Sequence, residues 1–197
     1  GRTSAARIGD GTRLDAALDS ALLLGALASR AGDRVDLMAV DDRPRLLVRG
    51  SEGPGDSLAG LLRSMAGLQP RLVETDGRRL AAEVLRRTSH RALVVLFTTL
   101  DEAAISEGLL PVLPSLTARH TVLVALVSDP VVTAMATERG DTHAVFDAAA
   151  AERTLAGQRR IAGLLRRLGV DVVEGDPAEF ASKVADAYLS LKAAGKL

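Results

Sequence analysis

The apolar residues of this chain follow a helical spacing in some segments and form continuous runs in others. Residues 12–33 carry apolar side chains three and four positions apart, which predicts an amphipathic helix. Thr12 is the expected N-cap of this helix, with Asp15 three residues later in a capping-box arrangement. Gly32 is a suitable residue for its C-cap. A helix is therefore the first regular element that the sequence predicts.

Further along the chain, short apolar segments have the composition of β-strands. Residues 35–40 and 45–49 flank Asp-Asp-Arg and predict a hairpin. The segment RALVVLFTT at 91–99 is the strongest strand candidate, and TVLVALVSDP at 121–130 predicts a second buried strand. A last short strand is expected in VDVVEG, at 170–175. No apolar run approaches the roughly 20 residues that a membrane-spanning helix needs.

Helical patterns fill the segments between the strands. Pro111 and Pro114 lie in the helical segment 100–120 and must kink or break it. Asp176, followed by Pro177, is the expected N-cap of a C-terminal helix. Another predicted helix begins after an N-cap at Thr75 or Asp76. The remaining predicted helices lie at 57–67, 131–139 and 144–168.

Strands that alternate with helices predict one α/β domain, with a mostly parallel sheet, helices on both faces and the hairpin as an antiparallel edge. Leu, Ala and Val dominate the 47% hydrophobic content of the 197 residues, and only 2% are aromatic. Small branched side chains of this kind suit helices packed on a parallel sheet. The opening GRTSAARIGDG is loop-like and follows no strand, so we expect the chain to be a fragment of a longer protein.

The charge balance argues against several classes of partner. Lys plus Arg and Asp plus Glu number 25 each, so no net field would attract nucleic acid or a membrane surface. The scarcity of aromatic residues also argues against binding by base stacking. The absence of cysteine excludes disulfides, thiolate metal sites and cysteine nucleophiles.

Ligands of open α/β sheets bind at the carboxyl ends of the parallel strands, so polar residues there are the candidates for a site. The segment ALVVLFTTLDE, residues 92–102, is the clearest case, because a buried strand ends in two threonines beside a helix start. The phosphate-binding loop, the dinucleotide fingerprint and the G-x-S-x-G elbow are all absent. The polar strand-end residues are Thr75, Asp76, Thr98, Thr99, Asp101, Ser128, Asp129, Glu174 and Asp176.

Other titratable residues have simpler structural interpretations. His90 and His120 each precede a strand, so we expect surface or edge histidines at the opposite end of the sheet. Asp41 and Asp42 stand between two strands and are expected hairpin-turn residues. Asp129, before a proline, is either a functional carboxylate or a helix cap, and capping is the favoured interpretation.

Several segments together resemble the bacterial family known as domain of unknown function 58, whose members carry a von Willebrand factor A-like domain. They include RLDAALDSALLLGALASRAGDRVDLMAVDD, RALVVLFTTLDE, LLPVLPSLTARHTVLVALVSDP and AAAAERTLAGQRRIAGLLRRLGVDVVEGDP. The resemblance implies a Rossmann-like sheet wrapped by helices, with membrane segments N-terminal to a domain that faces the cytoplasm. It also implies gene neighbours that encode MoxR-type AAA+ ATPases and transglutaminase-like proteins, and no established catalytic activity.

The von Willebrand A fold often holds Mg²⁺ at a metal-ion-dependent adhesion site, made of Asp-x-Ser-x-Ser, a Thr and a further Asp. Carried over from the resemblance, Gly1 replaces the first Ser of that motif and Thr3 the second, while the leading Asp would precede the chain. Thr75 matches the motif's threonine. Thr99 stands where the further Asp is expected. Two ligands are thus altered and one lies outside the sequence.

Neutral oxygens bind Mg²⁺ more weakly than carboxylates do, so we expect no cofactor and at most weak Mg²⁺ binding. Asp76 or Asp101 could restore the site only if the loops aimed them at the ion. The resemblance therefore implies a degenerate adhesion-site surface without metal ligands or catalytic residues. Its expected members are Gly1, Thr3, Thr75, Asp76, Thr98, Thr99 and Asp101.

These inferences describe residues 1–197 as a single von Willebrand factor A-like domain that lacks its first strand and its N-terminal membrane segments. The gap in the sheet would be filled by rearrangement, by a partner chain or by residues outside the sequence. The expected function is non-enzymatic protein–protein interaction, as an adaptor or scaffold working with a MoxR-type ATPase at the cytoplasmic face of the membrane. A Mg²⁺-dependent adhesion-type ligand-binding domain is the alternative, and an α/β enzyme using Asp129 or Asp101 is a third hypothesis.

Overall fold

The computed structural model of this protein describes residues 6–8, 11–50, 56–98 and 104–197. Its strands are β1 (Arg7–Ile8), β2 (Gly11–Thr12), β3 (Leu37–Val40), β4 (Pro44–Val48), β5 (Leu93–Thr98), β6 (Thr121–Val127) and β7 (Asp171–Gly175). Its helices are α1 (Arg13–Arg30), α2 (Asp56–Met65), α3 (Gly77–Arg87), α4 (Leu113–Thr117), α5 (Pro130–Thr137), α6 (Thr142–Arg167) and α7 (Pro177–Ala193), with a π-helix at Ala104–Leu109. Strands and helices alternate, which confirms the predicted α/β class.

The described strands form three separate sheets. β5, β6 and β7 make a parallel sheet with β6 in the middle, whereas β3 pairs with β4 and β1 pairs with β2 in antiparallel hairpins. The hairpin of β3 and β4 was predicted at an edge of the parallel sheet, but among the described residues its two strands pair only with each other. The β1–β2 hairpin occupies part of the opening stretch, which the sequence predicts to be a loop.

The central strand β6 is buried along its whole length because helices cover both faces of the sheet. Val122, Val124 and Leu126 belong to a core cluster with residues of α3, α4 and α6. Ala125 and Val127 alternate with them and pack against the opposite layer, formed by α1 and α7. This alternation follows the two-residue period of a strand and confirms the prediction of helices on both faces.

Helix ends are fixed by the caps that the sequence predicts. The Asp15 N–H donates to Thr12 Oγ1 at 3.2 Å, and the Thr12 N–H donates to Asp15 Oδ2 at 2.7 Å, which closes the capping box. Asp176 Oδ1 accepts from the backbone N–H groups of Ala178 and Glu179 at the start of α7. Among the helices within the described ranges, none is long and apolar enough to cross a membrane.

A three-residue cluster joins the C-terminal ends of α1 and α7. The Tyr188 hydroxyl donates to Asp33 Oδ2 at 2.6 Å, and Lys192 Nζ donates to the same oxygen at 2.7 Å. Since α7 follows the carboxyl end of β7 and runs back along the sheet, this cluster lies at the amino edge of the sheet. α1 therefore runs from the carboxyl edge to the amino edge.

His120 differs from its predicted environment. It precedes β6 at the amino edge, as expected, but it is only 4% exposed, and neither ring nitrogen has a hydrogen-bond partner among the described residues. Burial, with a smaller contribution from the Arg119 charge, lowers the pKa of His120 below its ordinary value. The turn between α4 and β6 thus encloses a histidine whose protonated form the fold disfavours.

We expect the protein to lose stability as the pH falls below about 6.5, the ordinary histidine pKa. Below that pH the unfolded chain binds more protons at His120 than the folded chain does, so acid favours unfolding by up to about 1.4 kcal/mol per pH unit. Urea midpoints of wild type and His120→Leu between pH 5 and 7.5 measure this effect. The variant should show a flatter profile, whereas His90→Leu, at an exposed histidine, should keep the wild-type slope. Parallel profiles for all three proteins would contradict the assignment.

Candidate site at the carboxyl edge of the sheet

The carboxyl edge of the sheet brings several predicted residues together. Asp129 follows β6 and caps α5, and Asp176 follows β7 and caps α7. Asp76 caps α3, and its backbone N–H donates to the carbonyl oxygen of Asp41 at 3.0 Å, just after β3. One edge therefore contains the ends of β3, β6 and β7 and the start of α3.

Thr75, Asp76 and Thr98 are the members of the expected adhesion-site surface whose positions the structure gives. Asp76 Oδ1 accepts from the Arg79 N–H at 2.9 Å, so this carboxylate serves as a helix cap. Thr75 is exposed beside it, and Thr98 is the half-buried last residue of β5. All three border one large cavity. The remaining members lie outside the described residues: Gly1, Thr3, Thr99 and Asp101.

Gly77 places Asp76 close to the segment that follows β5. A methyl group on Gly77 would overlap the backbone of Gly108 in the π-helix, because the two backbones touch there. The absence of a side chain at position 77 therefore lets the start of α3 approach the π-helix. This contact fixes the start of α3 against the π-helix.

Asp41 connects the hairpin to the segment before α3, a role that its sequence position does not reveal. It lies in the turn between β3 and β4, as predicted, but is only 5% exposed. Its carboxylate accepts from the Arg43 N–H at 3.2 Å and from Arg71 Nη1 at 3.3 Å, and Arg45 Nε lies 3.7 Å away. Burial would raise the pKa of Asp41, but hydrogen bonds to Asp42 and Arg43 and the two arginine charges hold it below its ordinary value.

We expect Asp41→Asn to destabilise the fold by about 1–3 kcal/mol, because two arginines lose a buried carboxylate partner. Since the pKa of Asp41 is lowered in the folded state, its contribution is present above about pH 3.9 and is lost as the pH falls through the folded-state value. Urea denaturation at pH 7 measures the loss. Asp186→Asn, at an exposed carboxylate on α7, is the control and should change the midpoint little. Equal midpoints for the two variants would contradict the role of Asp41.

Asp129 has a second contact besides its cap. Its Oδ1 accepts from the Val131 N–H at 3.0 Å, which confirms the predicted capping role, and its Oδ2 lies 3.6 Å from Arg13 Nη2. This ion pair places the N-terminus of α1 at the carboxyl edge. Arg13 was missed by the sequence analysis, because only the fold brings its guanidinium near Asp129.

A smaller polar hollow of about 320 Å³ lies at the ends of β6 and β7. Burial raises the pKa of Glu174 there, although the Arg166 charge partly offsets this effect. The hydroxyl of Thr133 donates to the backbone carbonyl of Asp129 at 3.4 Å, and Lys183 pairs with Glu179 at 2.8 Å. Thr133 and Lys183, two of the polar residues that line the hollow, thus have structural partners.

The large cavity, which we refer to as the slot, separates the hairpin from the parallel sheet. It has a volume of about 1390 Å³ and is bordered by β3 on one side and by β5 on the other. The apolar face of α1, including Leu14, Leu18 and Leu24, forms one wall, and Leu80 and Val84 of α3 lie on another. The slot exceeds the roughly 300–1,000 Å³ of ordinary ligand pockets.

The chemistry of the described carboxyl edge is therefore mainly structural. Within the described ranges, no group of three or more His, Cys, Asp or Glu side chains is arranged to hold a metal ion. Asp76, Asp129 and Asp176 accept hydrogen bonds from helix N-termini, and Asp41 pairs with arginines.

Comparison with known proteins gives one match. No curated protein and no solved structure matches the chain. Residues 4–177 match a family described as protein of unknown function DUF58. The matched range covers most of the 197 residues and includes all the strands described above. The chain therefore belongs to the DUF58 family.

Proposed function

We propose that this domain is a non-enzymatic protein-interaction module, an adaptor or scaffold, whose contact surface is the carboxyl edge. The observation that supports this proposal is the engagement of four aspartates in structural contacts: Asp41, Asp76, Asp129 and Asp176. A carboxylate that caps a helix or neutralises an arginine is already coordinated by donors. It is therefore poorly placed to act as a general base or to bind Mg²⁺ strongly.

The exposed residues of this edge are suited to contacts with another protein. Thr75 is exposed just before α3, and Arg79 is exposed one turn later with its guanidinium donating to the Asp42 carbonyl at 3.1 Å. The Arg79 side chain is held by α3 and by its contact with the hairpin, so it loses less conformational freedom on binding. The arrangement is consistent with a von Willebrand factor A-like domain whose adhesion site is degenerate.

The partner we propose is a MoxR-type AAA+ ATPase, at the cytoplasmic face of the membrane to which the full-length protein would be anchored. The support for this partner is the family resemblance, since the ATPase genes often lie beside those of family members. The proposal predicts binding through the carboxyl edge and no turnover of substrate by the domain itself.

Surface plasmon resonance with the purified, nucleotide-free ATPase tests the partner and the surface together. Thr75→Arg adds a bulky charge to the exposed carboxyl edge and should weaken binding at least tenfold, or about 1.4 kcal/mol. Ser89→Arg makes a comparable change at an exposed position after α3, at the amino edge, and should leave affinity unchanged. Equal affinities for the two variants would refute the proposed surface, and no binding by the wild-type protein would refute the partner.

Metal dependence separates this proposal from the Mg²⁺-dependent alternative. Calorimetric titration of MgCl₂ into the protein should give no saturable heat. Binding to the ATPase should also be the same in EDTA and in MgCl₂. A saturable heat, or binding abolished by EDTA, would favour the adhesion-type function instead.

A further inference from the structure

The first half of α6 extends past the carboxyl edge of the sheet. α6 has 26 residues, or about 39 Å, and ends at the amino edge, whereas the seven residues of β6 span only about 23 Å. The α6 residues in the described core clusters, Ile161 and Leu165, both lie in its second half. We refer to residues 142–154 as the outer half of α6. α5 packs against it, and its buried residues are the small Ala148 and Ala151.

The opposite face of the outer half carries the one exposed aromatic ring of the chain. Phe146 is 72% exposed and Val145 is 51% exposed, and the exposed Ala149 and Ala150 lie one turn further along. The other three aromatic residues are buried or half-buried: Phe97, Phe180 and Tyr188. Aromatic residues are enriched at protein interfaces relative to the rest of the surface, so this face has the composition of a contact.

The charged side chains beside this face are paired within one chain, with one exception. Two pairs flank it: His143 with Asp147, at 2.9 Å between Nδ1 and Oδ2, and Arg159 with Glu152, at 3.8 Å between Nη2 and Oε2. Arg153 is exposed and has no ion-pair partner among the described residues. It lies seven residues from Phe146 and therefore on the same side of the helix. The face thus offers an aromatic ring and an unpaired guanidinium two turns apart.

These two groups complement each other when two copies of the helix cross in antiparallel orientation. A two-fold axis between Ala149 and Ala150 lies midway between positions 146 and 153. It therefore brings Phe146 of each copy level with Arg153 of the other. The methyl side chains at the axis let the two backbones approach closely, and a guanidinium is attracted to the face of an aromatic ring. The same contact is then made twice, as in other isologous interfaces.

We propose that the outer half of α6 is a self-association surface, on which a second copy of this chain docks as an antiparallel, two-fold symmetric helix pair. An acidic or basic peptide is a poorer occupant, because the face offers only one unpaired charge. The contact is about 20 Å long and about 10 Å wide, which is far smaller than the roughly 800 Å² per partner of a standard interface. The dimer is therefore weak, and dilute solutions contain the monomer.

Sedimentation velocity of the protein between about 10 µM and about 1 mM tests this proposal. The average mass should rise from that of one chain toward that of two. Phe146→Arg should raise the dissociation constant at least tenfold, because it places a like charge against Arg153. Leu72→Arg, at a residue that is 77% exposed outside α6, is the matched control and should associate as wild type does. Equal association of the two variants would overturn the proposal.

An exchange of the two residues tests the antiparallel register. Phe146→Arg combined with Arg153→Phe recreates both contacts with the roles reversed, so it should restore most of the association that Phe146→Arg loses. Circular dichroism of each variant shows whether α6 remains helical. A helical double variant that associates as poorly as Phe146→Arg alone would contradict the register and overturn the proposal.

Cross-linking locates the axis directly, because the chain has no cysteine of its own. Ala150→Cys lies beside the two-fold axis, where the two copies of the residue come within the roughly 4.4–6.8 Å between Cα atoms that a disulfide requires. Mild oxidation of a concentrated solution should therefore yield a covalent dimer. Ser182→Cys, at an exposed position of α7, is the control and should yield little. Similar yields from the two variants would overturn the proposal.

The identity of the occupant is tested by the concentration dependence of the wild type. A wild-type protein that stays monomeric at about 1 mM would overturn the proposal. If Phe146→Arg then weakened binding to the ATPase, the face would be assigned to a different protein. The measurements of self-association do not use the ATPase, so their failure would leave the proposed function untouched.

Discussion

Phe180→Ala should unfold this protein at a much lower denaturant concentration than wild type, with a loss of about 3–5 kcal/mol. Phe180 is completely buried in α7 and packs against Ala125, Val127 and Val184. Its ring meets that of Phe97 edge to face, with centroids 6.1 Å apart. Truncation would leave a cavity between α7 and the sheet that small aliphatic neighbours cannot fill. Urea denaturation followed by far-UV circular dichroism measures the loss.

Phe146→Ala is the matched control, since this ring is 72% exposed on α6. Its change in stability should lie within about 0.5 kcal/mol of zero. For a chain of this size each kcal/mol corresponds to about 2–4 °C in melting temperature, so the two variants are easily distinguished. Similar losses at both positions would mean that α7 does not pack on the sheet as described.

Gly77→Ala should also destabilise the protein, by about 1–3 kcal/mol, although alanine is normally the better helix former. The added methyl group would overlap the carbonyl of Gly108, and backbone on both sides of the contact leaves no flexible side chain to move. We expect the start of α3 to shift away from the π-helix. Thermal unfolding measures the loss, and the chemical shifts of Thr75 and Asp76 should report the displacement.

Gly163→Ala tests the same substitution where space is open. Gly163 lies within α6, and a methyl group there meets no atom within 4 Å. This variant should be stabilised by about 0.5–1 kcal/mol, because glycine loses more backbone entropy than alanine on folding. Destabilisation by both substitutions would contradict the close contact assigned to Gly77.

Local features of the fold follow from the sequence because their partners are near in the chain. The capping box of Thr12 and Asp15 and the cap at Asp176 involve residues within three positions, and the hydrogen bonds are those that the sequence predicts. β6 was predicted because the six consecutive apolar residues 122–127 leave no polar position to suggest a helix face. Caps and buried runs are therefore the parts of this fold that a single sequence specifies best.

Non-local contacts explain what the sequence did not predict. Arg71 reaches Asp41 across 30 positions, so the neighbouring Asp41 and Asp42 look equivalent although only Asp41 is buried. His120 looks like an edge histidine, and its burial depends on how α4 meets β6. Of the candidate surface, Thr75, Asp76 and Thr98 border one cavity. The separation of the hairpin from the parallel sheet was not predicted, because the pairing of distant strands depends on non-local contacts.

The cluster of Asp33, Tyr188 and Lys192 has a practical consequence. Tyr188 is the single tyrosine, and the chain has no tryptophan, so near-ultraviolet absorption and emission of the tyrosine type arise from this one place. Burial and the hydrogen bond to Asp33 raise the pKa of Tyr188 above its ordinary value. An alkaline titration followed by phenolate absorbance would therefore report the separation of α1 from α7. The native chain already contains an optical probe of the amino edge, so no label has to be introduced.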